Sequence, residues 1–183
     1  MPPPRATPPR QTIDLGQRLA ADRHLQAEID KGLASLAEHP PPAVAQRIAR
    51  VLNVVLEPSW SEHADFQDEA LFPILAKSKD ATLDTRALLN RLSREHAEIG
   101  ERHRGVTIIL SSFIAGRLTP ADGVAATLTE VIGLRSRHHE TESALGGMLP
   151  HVLETADRHA LDRWAATRDA PSFPVNLILD LWD

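Results

Sequence analysis

Apolar residues recur along this chain at the three-and-four spacing of a helix in four long segments. In the first, Leu15, Leu19, Ile29, Leu33 and Leu36 share one stripe, which predicts a helix from about Thr12 to Glu38. Pro40-Pro41-Pro42 ends it and opens the next. Val44, Ile48, Val51, Val55, Phe66 and Ala70 predict a second helix over Ala43 to Ala76, kinked at Pro58. The polar break Lys77-Ser78-Lys79-Asp80 follows. Leu88, Leu92, Ile99, Val106, Leu110 and Phe113 predict a third helix over Leu83 to Ala115, with Gly116 as its C-cap. Thr119-Pro120-Ala121-Asp122 then reads as an N-cap, an N1 proline and an acidic first turn. The fourth helix, on Val124, Leu128, Val131, Leu145, Leu149 and Leu153, runs to about Ala156 and continues or re-forms through Trp164 and Arg168. No strand pattern of comparable strength is present. The predicted fold is all-α: an up-down-up-down antiparallel four-helix bundle over residues 12–170, with a C-terminal helical extension. Residues 1–11 are proline-rich and predicted to be disordered. Residues 171–183 form an apolar tail, Val175 to Trp182, predicted to bury Leu177, Leu179 and Trp182 against the bundle or against a partner subunit, the second case giving a homodimer through the tail.

One stretch breaks the apolar logic. Arg137-His138-His139-Glu140-Thr141-Glu142 lies inside the fourth periodic segment. At about 100° per residue, Glu142 falls near the middle of the apolar face, and His138 and His139 flank it by about 50°. An unpaired charge in a core costs several kcal/mol, so these groups need either a hydrogen-bonded partner or a cation. His138 and Glu142, four residues apart, can approach one ion from a single helix face.

Composition narrows the choice. The net charge of −5 and pI near 6.0 leave no basic footprint for nucleic acid. The absence of cysteine removes disulfides, thiolate zinc sites and iron–sulfur clusters together, and the absence of tyrosine removes a phenolate ligand. No apolar run approaches the roughly 20 residues of a membrane span. The N-terminal decapeptide has no apolar signal core, so the expectation is a soluble cytoplasmic protein with no nucleic-acid or membrane partner.

Nine histidines remain to be placed, and His24, His63, His96 and His138 recur at intervals of one helix plus one loop. In an up-down bundle such residues lie at similar heights. His63 and His96 fall within about 50° of their helices' apolar centres, and His103 within about 25°. His96 and His103 are two turns apart, about 10.5 Å, so they belong to different layers. His24 lies opposite its apolar stripe, where Asp22 and Gln26 occupy the inward positions. His39 sits in a loop, and His151 and His159 lie off the inward stripe.

The stretch His63-Ala64-Asp65-Phe66-Gln67-Asp68-Glu69-Ala70-Leu71-Phe72-Pro73 resembles the second-helix signature of hemerythrin-like, HHE cation-binding domains. Arg94-Glu95-His96-Ala97-Glu98-Ile99 resembles their third-helix signature and His138-His139-Glu140-Thr141-Glu142 their fourth. The resemblance spans about residues 12 to 168. It implies a four-helix bundle holding a non-haem di-iron centre, with His63, His96, His138 and Glu142 as ligands, Glu142 bridging, and His24 as the nearest first-helix ligand. Two positions depart from the pattern. Gln67 stands where a glutamate is usual, with Asp68 a possible substitute that points outward on a regular helix and Glu69 nearer the inward edge. His24 faces away.

The implied function is to bind or sense O2, NO or peroxide, or to handle iron. A mononuclear site of His96, His138 and Glu142 with His63 suits a single ferrous iron or zinc. A metal-free helical scaffold acting through a partner is the third reading. His103 and His139 are further candidate ligands. A ferritin-type oxidase is disfavoured, since no histidine has glutamate three residues before it, and a zinc protease likewise, since His-Glu-x-x-His is absent.

Overall fold

A computed structural model describes residues 15–79, 81–117, 124–147, 149–168 and 174–182. The described residues are helical, with no strand among them. The elements are α1 (Leu15–Ala37), α2 (Pro42–Asp65), a π-helical turn (Phe66–Leu71), α3 (Phe72–Lys77), α4 (Leu83–Ile114), α5 (Val124–Gly146), α6 (Leu149–Val152), α7 (Thr155–Ala166) and α8 (Asn176–Leu179). A 3-10 turn, Asp180–Trp182, closes the series. No described helix is long and apolar enough to cross a membrane. The predicted disorder of residues 1–11, the helix start at Thr12 and the cap at Thr119–Asp122 lie outside the described residues.

Each boundary has a local cause. His39, at φ 59°, turns the chain out of α1, and Pro42 opens α2 where its missing N–H removes no helical bond. Thr82 caps α4 by accepting from the Thr85 N–H at 3.1 Å. Gly116, at φ 66°, ends α4 as predicted. The predicted fourth helix is shorter than its periodicity: α5 stops at Gly146-Gly147 and the chain re-forms as α6 and α7. Helix α2 runs through Pro58 to Asp65, and a π-helical turn follows directly.

Helix α1 packs on α2 and α5, and α4 packs on α2 and α5. Gly32 sits where a Cβ would come within 3.1 Å of Leu52, so its bare backbone lets α1 and α2 close up. The apolar core is split. One cluster holds Ile29, Leu33, Leu52, Leu56, Leu110 and Leu128; the other holds Phe66, Leu71, Leu92, Leu145 and Leu149. Between them, in sequence on every long helix, come the residues of a polar layer.

The C-terminal pieces cover both ends. Helix α7 lies against the π-helical turn, with Trp164 edge-on to Phe66 at 5.5 Å. Helix α8 docks on α1 and α2. The tail is seated by a different face from the one expected. Ile178 and Leu181 are buried in the first cluster, whereas Leu177 and Leu179 are 43% and 39% exposed. In a short helix, neighbours cannot share a face, and burying Ile178 turns Leu177 and Leu179 outward. The Trp182 side chain lies outside the described residues.

Candidate metal centre

Three histidines of the polar layer have Nδ1 tied to a carboxylate of another element. His63 Nδ1 lies 2.6 Å from Asp22 Oδ2, His96 Nδ1 2.9 Å from Asp68 Oδ2, and His138 Nδ1 3.1 Å from Glu95 Oε2. A carboxylate only accepts, so each Nδ1 carries the proton, and each Nε2 is left as the ring's remaining nitrogen. The carboxylates are themselves held. Ser93 donates to Asp68 at 2.6 Å and Arg91 to Glu95 at 2.7 Å.

The Nε2 atoms turn into the core. Those of His63 and His138 are 3.4 Å apart. Glu142 Oε2 lies 3.8 Å from His63 Nε2 and 3.3 Å from His139 Nδ1. One donor atom from each of His63, His138, His139 and Glu142 lies within 4.8 Å of all the others, a group that can hold a metal ion. Donors at about 2.1 Å from a tetrahedral ion stand about 3.4 Å from one another, close to several of these separations. The Nε2 of His96 and that of His139 are buried with no hydrogen-bond partner. His96 is outside the group of four, but its ring centroid is 4.7 Å from that of His138 and 5.3 Å from that of His63.

Gln67 belongs to this layer. Its amide donates to Glu142 Oε1 at 2.6 Å and lies 3.3 Å from His63 Nε2, and its Oε1 is buried without a partner. On a regular helix it would sit at the edge of the stripe. The π-helical turn that begins at Phe66 changes the phase, so that Gln67 is 1% exposed and Asp68, predicted to point outward, reaches His96. Glu69 does not join them; it pairs with Arg168 at the surface.

Charge follows the geometry. Burial disfavours the His63 imidazolium, yet the hydrogen bond and charge of Asp22 and the charge of Glu142 outweigh it and hold the ring above the usual imidazole value. Burial likewise pushes Asp22, Asp68 and Glu142 upward, and the histidines facing them outweigh it, so all three stand below the usual carboxylate range. His138 is pushed down to about 2, by burial first and then by the charges of His96, His63, His139 and Arg135. It is a neutral imidazole with a lone pair to give.

Trp60 is the floor of the layer. Its ring stacks on His63 at 5.0 Å and meets His138 edge-on at 5.3 Å, while its Nε1–H donates to the His96 carbonyl at 3.0 Å. Beneath it lies Arg135, fully buried, with its guanidinium 5.3 Å from the indole centroid. Arg135 pairs with Asp30 and donates to Gln26 Oε1 at 2.8 Å and to His103 Nε2 at 3.2 Å. His103 is lowered to about 2 by burial and by Arg135. Its Nε2 accepts from a cation already in place, and its Nδ1 is buried without a hydrogen-bond partner.

His24 is exposed on α1 and is not brought to the layer. Asp22, half a turn away on the inward side, supplies the α1 contribution, and Gln26 serves Arg135 instead. Sequence reasoning did not find Glu95, Trp60 or Arg135. Arg135 carried a signal: it continues the buried stripe of Leu128 and Val131 and lies one turn before His138. No family model matches the chain, and no curated protein or solved structure is detectably similar to it. What the fold and the layer define is an all-helical protein with a buried histidine–carboxylate group able to hold a metal ion.

Proposed function

We propose that this is a hemerythrin-like metal protein, a four-helix up-down bundle carrying non-haem iron that binds or senses O2, NO or peroxide, or handles iron. The carrying observation is the set of three Nδ1–carboxylate bonds, which orient His63, His96 and His138 with Nε2 inward beside Glu142. Carboxylate partners of this kind fix the tautomer of ligating histidines and raise their basicity. Nitrogen and oxygen donors without sulfur suit ferrous iron, and zinc is the competitor. The closed ring of packing, α1 on α2, α2 on α4, α4 on α5 and α5 on α1, supports the bundle.

His63, His138, His139 and Glu142 would hold one ion. Iron bound there would supply an open position for a small ligand. The chain's own residues set the conditions: Asp22 and Glu95 hold the imidazole protons, Gln67 donates to Glu142, and Trp60 with the two apolar clusters excludes water. The expected di-iron centre is favoured by one observation, the free Nε2 of His96 just outside the group, which would serve a second ion. Gln67 in place of a second central carboxylate favours one ion.

Elemental analysis of protein purified without added metal tests the reading. One iron per chain is expected, and two would establish the dinuclear form. Glu95→Gln should weaken the metal about 10–100-fold in a chelator competition while leaving the helices intact. Protein that takes up no iron or other transition metal defeats the proposal.

A further inference from the structure

The Gln67 and Glu142 edge of the polar layer opens on a cavity of about 270 Å³. Leu19, Leu71, Phe72, Leu145, Leu149 and Leu153 line most of it. Its polar lining is of two kinds. Gln67 and Glu142 are buried, while Arg23 and Arg158, which also line it, are exposed. No carboxylate among the described residues pairs with Arg158, and Arg23 makes only a side-chain bond to the Leu19 carbonyl, at 3.3 Å. An apolar space rimmed by two guanidiniums without counter-ions among the described residues matches a molecule that is apolar along its length and anionic at one end.

We propose that this cavity binds an aliphatic monocarboxylate, its carboxylate held by Arg23 and Arg158 and its chain running inward to Glu142 and Gln67. A cavity of about 150 Å³ accommodates benzene, so this one holds a chain of about ten carbons. Guanidinium suits the head, because its fork matches the two carboxylate oxygens. A neutral head would leave the arginines without an anion, and an anion at the inner end would meet Glu142, so the charge fixes the direction of entry. The site goes beyond the metal reading: its walls need no ion, and an occupant would end beside the layer.

Calorimetric titration of the full chain with octanoate, butanoate and octan-1-ol tests it, on protein both as purified and stripped of metal. One octanoate per chain is expected, bound more tightly than butanoate or octanol. Arg23→Gln with Arg158→Gln, both exposed, should weaken octanoate about tenfold or more and leave octanol unchanged. Absence of saturable octanoate binding, equal affinity for butanoate, or an unchanged affinity in the double variant overturns the proposal. Octanoate binding by the stripped protein is independent of metal content, so the two readings fail separately.

Discussion

Replacing Gln67 by glutamate would set two carboxylates against each other at the centre of the layer. The amide nitrogen of Gln67 is 2.6 Å from Glu142 Oε1. Two full charges at that separation repel by about 6 kcal/mol at an effective dielectric of about 20. His63 does not offset this, since its charge is already shared between Asp22 and Glu142. The metal-free variant has a cheaper course, which is to keep one carboxyl protonated. Against an unfolded glutamate ionising at about 4.3, that proton costs about 4 kcal/mol at pH 7. The smaller cost wins, so metal-free Gln67→Glu should be about 4 kcal/mol less stable than wild type at pH 7. The penalty should shrink by about 1.4 kcal/mol per pH unit on acidification and vanish near about pH 4.3. Urea denaturation of both proteins at pH 7, 6 and 5, with chelator present, measures it. With iron supplied, the added carboxylate neutralises metal charge, and the variant should bind a second ion or hold the first more tightly. Equal urea midpoints at all three pH values would show that residue 67 does not face Glu142, and the account of the π-helical turn would fall with it.

Acid should weaken the metal-free wild type earlier than its carboxylates alone require. His103 and His138 stand at about 2, against 6.5 in the unfolded chain, so below 6.5 the unfolded state binds more protons. Each contributes a loss of about 1.4 kcal/mol per pH unit from about pH 6.5 downward. His63 is raised, so its contribution is complete below the unfolded value and fades only as pH rises; it does not flatten this slope. A urea midpoint that stays level between pH 6.5 and 5 would contradict the burial of both rings. Ile178→Ala should cost about 2–4 kcal/mol by emptying a filled site, while Leu177→Ser and Leu179→Ser should each stay within about 0.5 kcal/mol. The reverse order in thermal or chemical melts would mean the tail docks by its other face.

The long helices were legible because their apolar stripes are long and regular, and ends such as Gly116 carry unambiguous cap chemistry. Inward placement of His63, His96, His138 and Glu142 followed from angle alone, because α2, α4 and α5 are regular where those residues sit. Asp68, one residue past Gln67, was misplaced for the complementary reason. It follows a change from α to π winding, and a projection at constant angle cannot register it. His24 was set against Asp22 by the same projection, which put Asp22 inward, and the structure has Asp22 there on His63. Arg135 and Glu95 were missed because a charged residue on or beside an inward stripe is counted as an exception until its partner on another helix is known. The tail failed at the level of facing: its apolar content showed that it docks but not by which side.

The polar bonds of the layer also connect the helices in a particular order. Asp22 to His63 ties α1 to α2, Asp68 to His96 ties the π-helical turn to α4, and Glu95 to His138 ties α4 to α5. Arg135 returns from α5 to Asp30 and Gln26 on α1. Leucine packed on leucine above and below tolerates a helix that slides or rolls by a few degrees, since one methyl replaces another. A buried histidine–carboxylate pair does not, because its geometry is lost in the first ångström. The layer therefore acts as an angular index for the whole fold, setting how far each long helix is rotated about its own axis, while the two leucine-rich clusters supply the adhesion and have little say in orientation.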